Sequence, residues 1–283
     1  MMRDAAILLA AALCACGPKQ RNGDHVDANG GGQRDAPGAT QIDASTIDAA
    51  WQVYVYAHSP TALYRVDPDT YAITLVGNFG WPANVVSDSM TDLAIDKNGR
   101  MIGVSFTAVY EIDPATAKAT QLSSMLQGGG FNGLSFVPAS VLGQTGDDVL
   151  VATRNGDGKA FRVDPMTGQI TQIGDMGGTF VSSGDLVGVD NFGVVQTVPG
   201  SGGGHDRLVT LASNSFAATP VGNADTGYNN IWGIAYWKNK VFGFTAQGEF
   251  ILIDTATGVG TLVSSNGVAW WGAAVTTEAP VVQ

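Results

Sequence analysis

The sequence predicts an all-β fold, a five-bladed β-propeller with four-stranded blades and a C-terminal strand that closes the first blade. Three observations predict it. A fifteen-residue segment occurs five times, two more apolar strands separate successive copies, and one position of the inner strand is always small. Four strands in each of five units of about 40–50 residues are typical of a propeller. A two-sheet all-β sandwich is the alternative architecture.

The repeated segment reads as an apolar strand, a polar turn and a second strand. Its copies are LYRVDPDTYAITLVG (63–77), VYEIDPATAKATQLS (109–123), AFRVDPMTGQITQIG (160–174), LVTLASNSFAATPVG (208–222) and FILIDTATGVGTLVS (250–264). In four copies an aspartate opens the turn, and its carboxylate can accept backbone N–H groups two residues further on. These aspartates are Asp67, Asp113, Asp164 and Asp254. Gly168 and Gly258 supply a left-handed turn position.

The strands between the hairpins supply the inner half of each blade. The first of each pair aligns as LAID (93–96), LSFV (134–137), VGVD (187–190), WGIA (232–235) and WGAA (271–274), with a small residue second. Small side chains at one register are expected where several strands converge on an axis. The strand count closes only if residues 267–276 join strands 51–57, 62–67 and 72–78 in one blade, which covers otherwise open edges.

The hairpins resemble those of YVTN-type secreted propeller repeats, whose strands end in I-D-x-x-T-G, as residues 253–258 do here. The resemblance extends over residues 51–276. It implies the propeller fold and no particular activity, because such propellers serve binding, scaffolding and catalysis alike.

The N-terminus reads as a targeting signal followed by a linker. After Arg3 comes an apolar run of nine residues, long enough for a signal-peptide core and too short to span a bilayer. The run ends in Leu13-Cys14-Ala15-Cys16-Gly17, which resembles the lipobox of bacterial lipoproteins. The resemblance implies cleavage after residue 15 and lipidation of Cys16. The alternative is an ordinary secretory signal cleaved near Ala15.

The predicted domains are therefore a signal peptide (1–15), a lipidated cysteine with a disordered tether (16–50) and the propeller (51–283). The tether contains no aromatic residue, so it cannot bury enough surface to offset its ordering entropy. Gly17 stands where an aspartate would retain an enterobacterial lipoprotein in the inner membrane, so the outer membrane is favoured over the inner one.

Composition excludes several classes of protein. The chain has 14 basic and 25 acidic residues, a net charge of −11, and nucleic acid requires a basic surface. The two cysteines lie in the signal region, which excludes a disulfide framework and a cysteine zinc site. We expect a monomer whose partner is a neutral glycan, a cation or a basic protein surface.

Candidate site residues lie on the face that carries the irregular loops, since function in repeat proteins usually sits where loops vary over a rigid scaffold. Just before the inner strands comes a mostly polar column, followed in one case by Asp92. The column is Thr91, Asn132, Asp185, Asn230 and Ala269. Placed at the mouth of the channel, these oxygens suit sugar hydroxyls or, as a weaker expectation, Ca²⁺. The alternative is that they close turns at strand entries.

Aromatic residues accumulate on the same side and suit an amphipathic ligand. We expect Trp81 and Trp270 to face the ligand, whereas Trp232 and Trp271 occupy a column of apolar residues and are expected to pack between blades. The predicted ligand-binding set is Trp81, Asp92, Asn132, Asp185, Asn230 and Trp270.

Two functions from different classes fit this pattern. The first is a lipid-anchored, non-catalytic binding module of the cell envelope, for a glycan or another envelope protein, without a resident cofactor or metal. The second is a carbohydrate-active enzyme that uses Asp92 and Asp185, with Asp88 as the third candidate acid. That chemistry needs two carboxyls about 5–5.5 Å apart for retention or about 6.5–9.5 Å for inversion.

Overall fold

The structure, a computed structural model, describes residues 54–282 and shows five four-stranded antiparallel sheets arranged as a propeller. The predictions for the signal peptide, Cys16 and the tether lie outside the described residues. Among the residues described, no helix is long and apolar enough to cross a membrane.

The strand bounds, blade by blade from the axis outward, agree closely with the repeats. Blade 1 consists of β20 (Gly272–Ala274), β1 (Val55–His58), β2 (Ala62–Val66) and β3 (Ile73–Asn78). Blade 2 consists of β4 (Met90–Ile95), β5 (Met101–Ser105), β6 (Val109–Ile112) and β7 (Ala119–Ser123). Blade 3 consists of β8 (Gly133–Val137), β9 (Val149–Thr153), β10 (Lys159–Val163) and β11 (Ile170–Asp175). Blade 4 consists of β12 (Leu186–Val189), β13 (Gly193–Val198), β14 (Arg207–Leu211) and β15 (Ala218–Pro220). Blade 5 consists of β16 (Ile231–Trp237), β17 (Lys240–Thr245), β18 (Glu249–Asp254) and β19 (Gly260–Ser265).

The predicted closure of the ring is confirmed. β20 pairs antiparallel with β1, which places Gly272 opposite His58 and Ala274 opposite Tyr56. The C-terminal strand thereby supplies the inner edge of the blade that begins the domain. The inner strands β4, β8, β12, β16 and β20 pack in turn around the axis.

The small inner position is needed because the strands approach very closely. A Cβ atom at Gly233 would lie 2.5 Å from the carbonyl carbon of Gly272, and one at Gly188 would lie 3.0 Å from the Phe136 carbonyl oxygen. Ser135, the polar member of the set, donates to the Phe136 carbonyl and accepts the Gly188 N–H at 3.0 Å.

The aspartate turns form as predicted, with a left-handed residue that sequence reasoning only partly found. Asp67 Oδ1 accepts the Asp69 N–H at 3.0 Å, and equivalent bonds form at the other three aspartates. The fifth residue of each turn has a positive φ, and in three turns it is not glycine but Tyr71, Ala117 or Phe216. The strained backbone is compensated by packing, since the Tyr71 ring contacts Phe242 and Phe250 edge-on.

The two faces of the ring are distinct. The turn face carries these hairpin turns and the connections that follow the inner strands, and the mouth face carries the between-blade loops. β1 begins on the turn face, since Val55 pairs with Val66 beside the first aspartate turn, and it ends at His58 on the mouth face. Any segment that precedes Tyr54 therefore joins the domain on the turn face.

The residues after β20 cross the turn-face end of the central channel. Thr276 bridges to Ile95 of blade 2, and the Thr277 hydroxyl donates to Asp148 Oδ2 at 2.6 Å beside blade 3. The Thr277 carbonyl accepts the Asp190 N–H of blade 4, and the Pro280 carbonyl accepts the Lys238 N–H of blade 5. The tail thus ties blades 2 to 5 together and covers this end of the channel.

Candidate functional site

Two predicted acids meet inside the channel. Asp92 and Asp185 are both 0% exposed and close enough for each carboxyl to shift the pKa of the other. The bulge in β4 that separates Met90 from Asp92 in the pairing with β5 helps to set the register at this point.

Asp185 is held by backbone N–H groups from three inner strands. Its Oδ1 accepts from Leu186 at 2.6 Å and Leu134 at 3.3 Å, and its Oδ2 accepts from Ile234 at 2.8 Å. These donors belong to β12, β8 and β16. Such bonds stabilise a carboxylate, so the negative charge of the pair is best accommodated on Asp185.

Asp92 lies beside a buried histidine that the sequence did not single out. His58 Nε2 is 3.8 Å from Asp92 Oδ1, and the His58 side chain is 0% exposed. His58 Nδ1 lies 2.9 Å from the Ser59 carbonyl oxygen, which only accepts, so Nδ1 carries the proton and Nε2 has the lone pair. Gly272 makes this arrangement possible, because a Cβ atom there would collide with Asp92 Oδ1 and His58 Nε2.

Burial determines the protonation of this axial cluster (His58, Asp92 and Asp185). Burial lowers the pKa of His58 to about 4, so its imidazole is neutral at pH 7. Burial raises the pKa of both carboxyls well above their usual range, and the nearby Asp185 charge raises the pKa of Asp92 further. Asp92 Oδ2 has no N–H or O–H donor among the described residues, which fits a carboxyl that keeps its own proton. Burial therefore favours a proton on the carboxyl pair over two negative charges, and the three backbone N–H donors favour any negative charge on Asp185.

This geometry does not suit glycoside cleavage. A glycosidic bond would have to lie between the two carboxyls, but both side chains are 0% exposed, so a glycan cannot reach them in this structure. Asp88, the third candidate acid, lies on the loop before β4, where its Oδ2 accepts the Tyr110 hydroxyl at 2.6 Å.

Above the axial cluster, the mouth face contains a cavity of about 220 Å³, here called the mouth pocket. It is lined by Thr91, Phe106, Gly130, Phe131, Asn132, Asn155, Trp232 and Trp271. Thr91 and Trp271 immediately precede Asp92 and Gly272 in the chain, so the carboxyl pair lies directly beneath. Asn132 Oδ1 is a buried acceptor without a partner among the described residues.

Of the four aromatic residues that line the mouth pocket, Phe131 is 0% exposed and the other three are at least partly exposed. Trp271 stands nearly perpendicular to Trp232, at 6.2 Å between centroids and 86°, and to Phe106, at 6.3 Å and 85°. Phe106 lies on the short β5–β6 loop and is 52% exposed. The open faces of these rings are the main apolar surface available to a ligand at the channel mouth.

The tryptophans are placed differently from the sequence-based expectation. Trp270 is 0% exposed and packs against Tyr64 and Phe244 in the core, at 5.1 and 5.5 Å between centroids. It therefore has no face open to a ligand. Trp232 and Trp271, which we expected between blades, line the pocket instead. Neighbouring residues on an extended strand point in opposite directions, and the pair Trp270-Trp271 could be assigned either way.

The remaining candidates are spread over the mouth face. Trp81 packs against Phe79 and Tyr110 between blades 1 and 2, outside the pocket lining. Asn230 is exposed and has a φ of 53°, and its carbonyl accepts the Ala246 N–H at 2.9 Å, as expected of a turn residue. Of the predicted set, Asn132 lines the pocket and Asp92 and Asp185 lie below it. Among the residues described, no group of three or more His, Cys, Asp and Glu side chains is arranged to hold a metal ion.

Comparison with known proteins identifies the fold and no family. No protein-family model and no curated protein matches the sequence. A chain of a nidogen–laminin complex is similar in structure, with a TM-score of 0.51, 8% identity and coverage of 80% of this chain and 99% of that one. Glutaminyl cyclase from Myxococcus xanthus has a TM-score of 0.42, 14% identity and coverage of 79% and 74%. Virginiamycin B lyase from Staphylococcus aureus has a TM-score of 0.42, 10% identity and coverage of 72% and 63%. At these identities the likeness concerns the fold alone.

Proposed function

We propose that this chain is a lipid-anchored protein of the bacterial cell envelope whose propeller is a non-catalytic binding module, with the mouth pocket as its ligand site. The observation that carries the proposal is the aromatic pocket with an unpartnered polar atom, Asn132 Oδ1, at the mouth of the channel. Concave, mostly apolar sites with a few polar groups are the usual form of ligand pockets.

The arrangement of the two faces supports this proposal. The C-terminal tail covers the turn-face end of the channel, and the chain enters the domain on that same face. The pocket lies on the opposite face, where the irregular loops leave it open. An envelope glycan or an envelope protein that presents an apolar surface is the expected class of ligand.

Two experiments test the two parts of the proposal. For the anchor, metabolic labelling with an alkyne fatty acid should label the wild-type chain and not Cys16→Ser, and the labelled chain should fractionate with the outer membrane. For the binding site, the folded protein should retain a ligand from a glycan array or a native envelope pull-down. Blank results in both binding assays would refute the binding module, and equal labelling of both chains would refute the anchor.

A further inference from the structure

The mouth pocket contains an arrangement of rings that favours one kind of ligand. Phe106 and Trp232 both stand at nearly right angles to Trp271, so the rings form a partial cage rather than a flat platform. A flat sugar ring stacks best on one broad aromatic face, whereas perpendicular rings suit a compact, rounded group. The cavity of about 220 Å³ has room for a small head group of this shape.

The electrostatic surroundings of the pocket favour a cation. None of the eight lining residues is charged, and the acidic pair Asp92 and Asp185 adjoins the pocket through Thr91, which lines it and precedes Asp92 in the chain. Arg154 is the cation beside the lining residue Phe131, and it is already engaged, with its guanidinium 5.2 Å from the Phe131 ring centroid and bonded to Asp157. Residues 51–283 carry 10 basic and 19 acidic side chains, a net charge of −9, which adds to the attraction.

The scarcity of free acceptors in the pocket distinguishes between kinds of cation. Asn132 Oδ1 is a buried acceptor without a partner among the described residues, and the other side-chain acceptors of the lining are the exposed Asn155 amide and the Thr91 hydroxyl, which donates to the Val104 carbonyl at 3.0 Å. A primary ammonium group would lose its hydrogen bonds to water and find few replacements there. A quaternary ammonium group has no N–H to satisfy, and the negative faces of aromatic rings stabilise its spread charge.

We propose that the mouth pocket binds the quaternary ammonium group of a small organic cation, enclosed by the rings of Phe106, Trp232 and Trp271. This inference rests on the proposed function of the same pocket and names the chemical class of its ligand. The carboxylate below acts at a distance and makes no direct contact with the ligand.

The test is calorimetry on the full chain, purified in a detergent without a choline head group. Choline and tetramethylammonium are the probes, and ethanolamine and the uncharged analogue of choline, with carbon in place of nitrogen, are the comparison compounds. We expect choline to bind at least tenfold more tightly than either comparison compound. Phe106→Leu and Trp271→Leu should each weaken choline binding at least tenfold.

Trp81→Leu is the matched control, because Trp81 is a half-buried tryptophan on the same face outside the pocket. Phe106 lies on an exposed loop, so its variant should fold even if Trp271→Leu does not. The inference is overturned if the uncharged analogue binds as tightly as choline, a result that would still leave an apolar binding pocket. It is equally overturned if Phe106→Leu binds choline as tightly as the wild type does. It is also overturned if saccharides bind and choline does not, a result that leaves the proposed function standing. If no cation, analogue, glycan or envelope component binds, both proposals fail.

Discussion

Replacing Asp92 by asparagine should change how the stability of the protein depends on pH. The amide has the shape of the protonated carboxyl and can still donate to Asp185, but it cannot ionise. Since burial raises the pKa of native Asp92 well above 3.8, the native state holds a proton here that the unfolded state loses. The free energy of unfolding from this group is therefore largest below pH 3.8 and falls as the pH rises toward the native pKa.

The magnitude follows from linkage. Each pH unit between the unfolded and native pKa values removes about 1.4 kcal/mol of stability from the wild type relative to the variant. As the pH rises from 3.8 toward the raised native pKa, the stability of Asp92→Asn relative to wild type should thus improve steadily. Titrating groups distant from the axial cluster cancel in this difference because both proteins contain them.

His58 adds a second, opposite effect that the variant reveals. Its pKa falls from 6.5 to about 4 in the native state, so its stabilising contribution is complete above pH 6.5 and is lost as the pH falls toward 4. The His58 pKa shift corresponds to roughly 3 kcal/mol of free energy of unfolding. In the wild type, the stability gained from His58 as the pH rises offsets the stability lost through Asp92 over the same interval. In Asp92→Asn the offset disappears, so stability should rise from pH 4 to 6.5 and then level off.

The assay is urea denaturation at 25 °C, followed by tryptophan fluorescence at half-unit pH intervals from 4.5 to 8.5. Because the effects of His58 and Asp92 oppose each other, the free energy of unfolding of the wild type should change little with pH up to 6.5 and should decrease above that pH. A stability difference between the two proteins that is constant from pH 4.5 to 6.5 would mean that native Asp92 ionises like an exposed carboxyl, and the proton on the buried pair would be refuted.

Four further substitutions test the packing around the site. Gly272→Ala inserts a methyl group into the axial cluster and should lower the free energy of unfolding by about 1–3 kcal/mol, measured in urea; an unchanged value would mean that the inner strands can separate. Trp270→Ala should lower the free energy of unfolding by about 3–5 kcal/mol because the indole is fully buried. Trp271→Ala should lower it by much less, and urea denaturation of the two variants measures the difference. Thr277→Val removes the 2.6 Å bond to Asp148 and should cost about 1–2 kcal/mol, and a midpoint equal to that of wild type would contradict the role of the tail in fastening the blades.

Repeated local chemistry explains why the blades were predictable and the site was only partly so. A hairpin with an aspartate turn can be predicted from local sequence, because the residues that form it are close in the chain. The five copies of the segment can also be aligned with one another, which strengthens each prediction. The small inner column was readable because strand convergence leaves no room for larger side chains. These features depend on the sequence position within a repeat and not on which blade the repeat occupies.

The mouth pocket is formed by residues that differ from one blade to the next, so the comparison of repeats does not predict it. Trp270 and Trp271 are adjacent, so a one-residue error in the start of β20 exchanges the core residue for the ligand-facing one. No local sequence pattern marks His58, yet the packing of blade 1 against blade 2 brings it to within 3.8 Å of Asp92, 34 residues further along the chain. The pairing of β4 has a bulge next to Asp92, whereas the pairing of β12 has none next to Asp185. No sequence motif predicts this difference.

The closing strand links the stability of the ring to the ligand site. β20 has three paired residues, and it is preceded by Trp271, whose N–H donates to the His58 carbonyl at 2.8 Å, and followed by the tail that ties blades 2 to 5. Because β20 and β1 lie at opposite ends of the domain, their pairing closes a very long loop and gains little from local contacts. The mouth pocket is complete only when this pairing is made, since one of its three partly exposed rings comes from the closing segment. A ligand held by Trp271 binds the closed ring and not the open one, so by mass action it must stabilise closure. The proposed ligand contact at Trp271 thus lies at the seam of the propeller, where binding energy would also fasten the two ends of the domain.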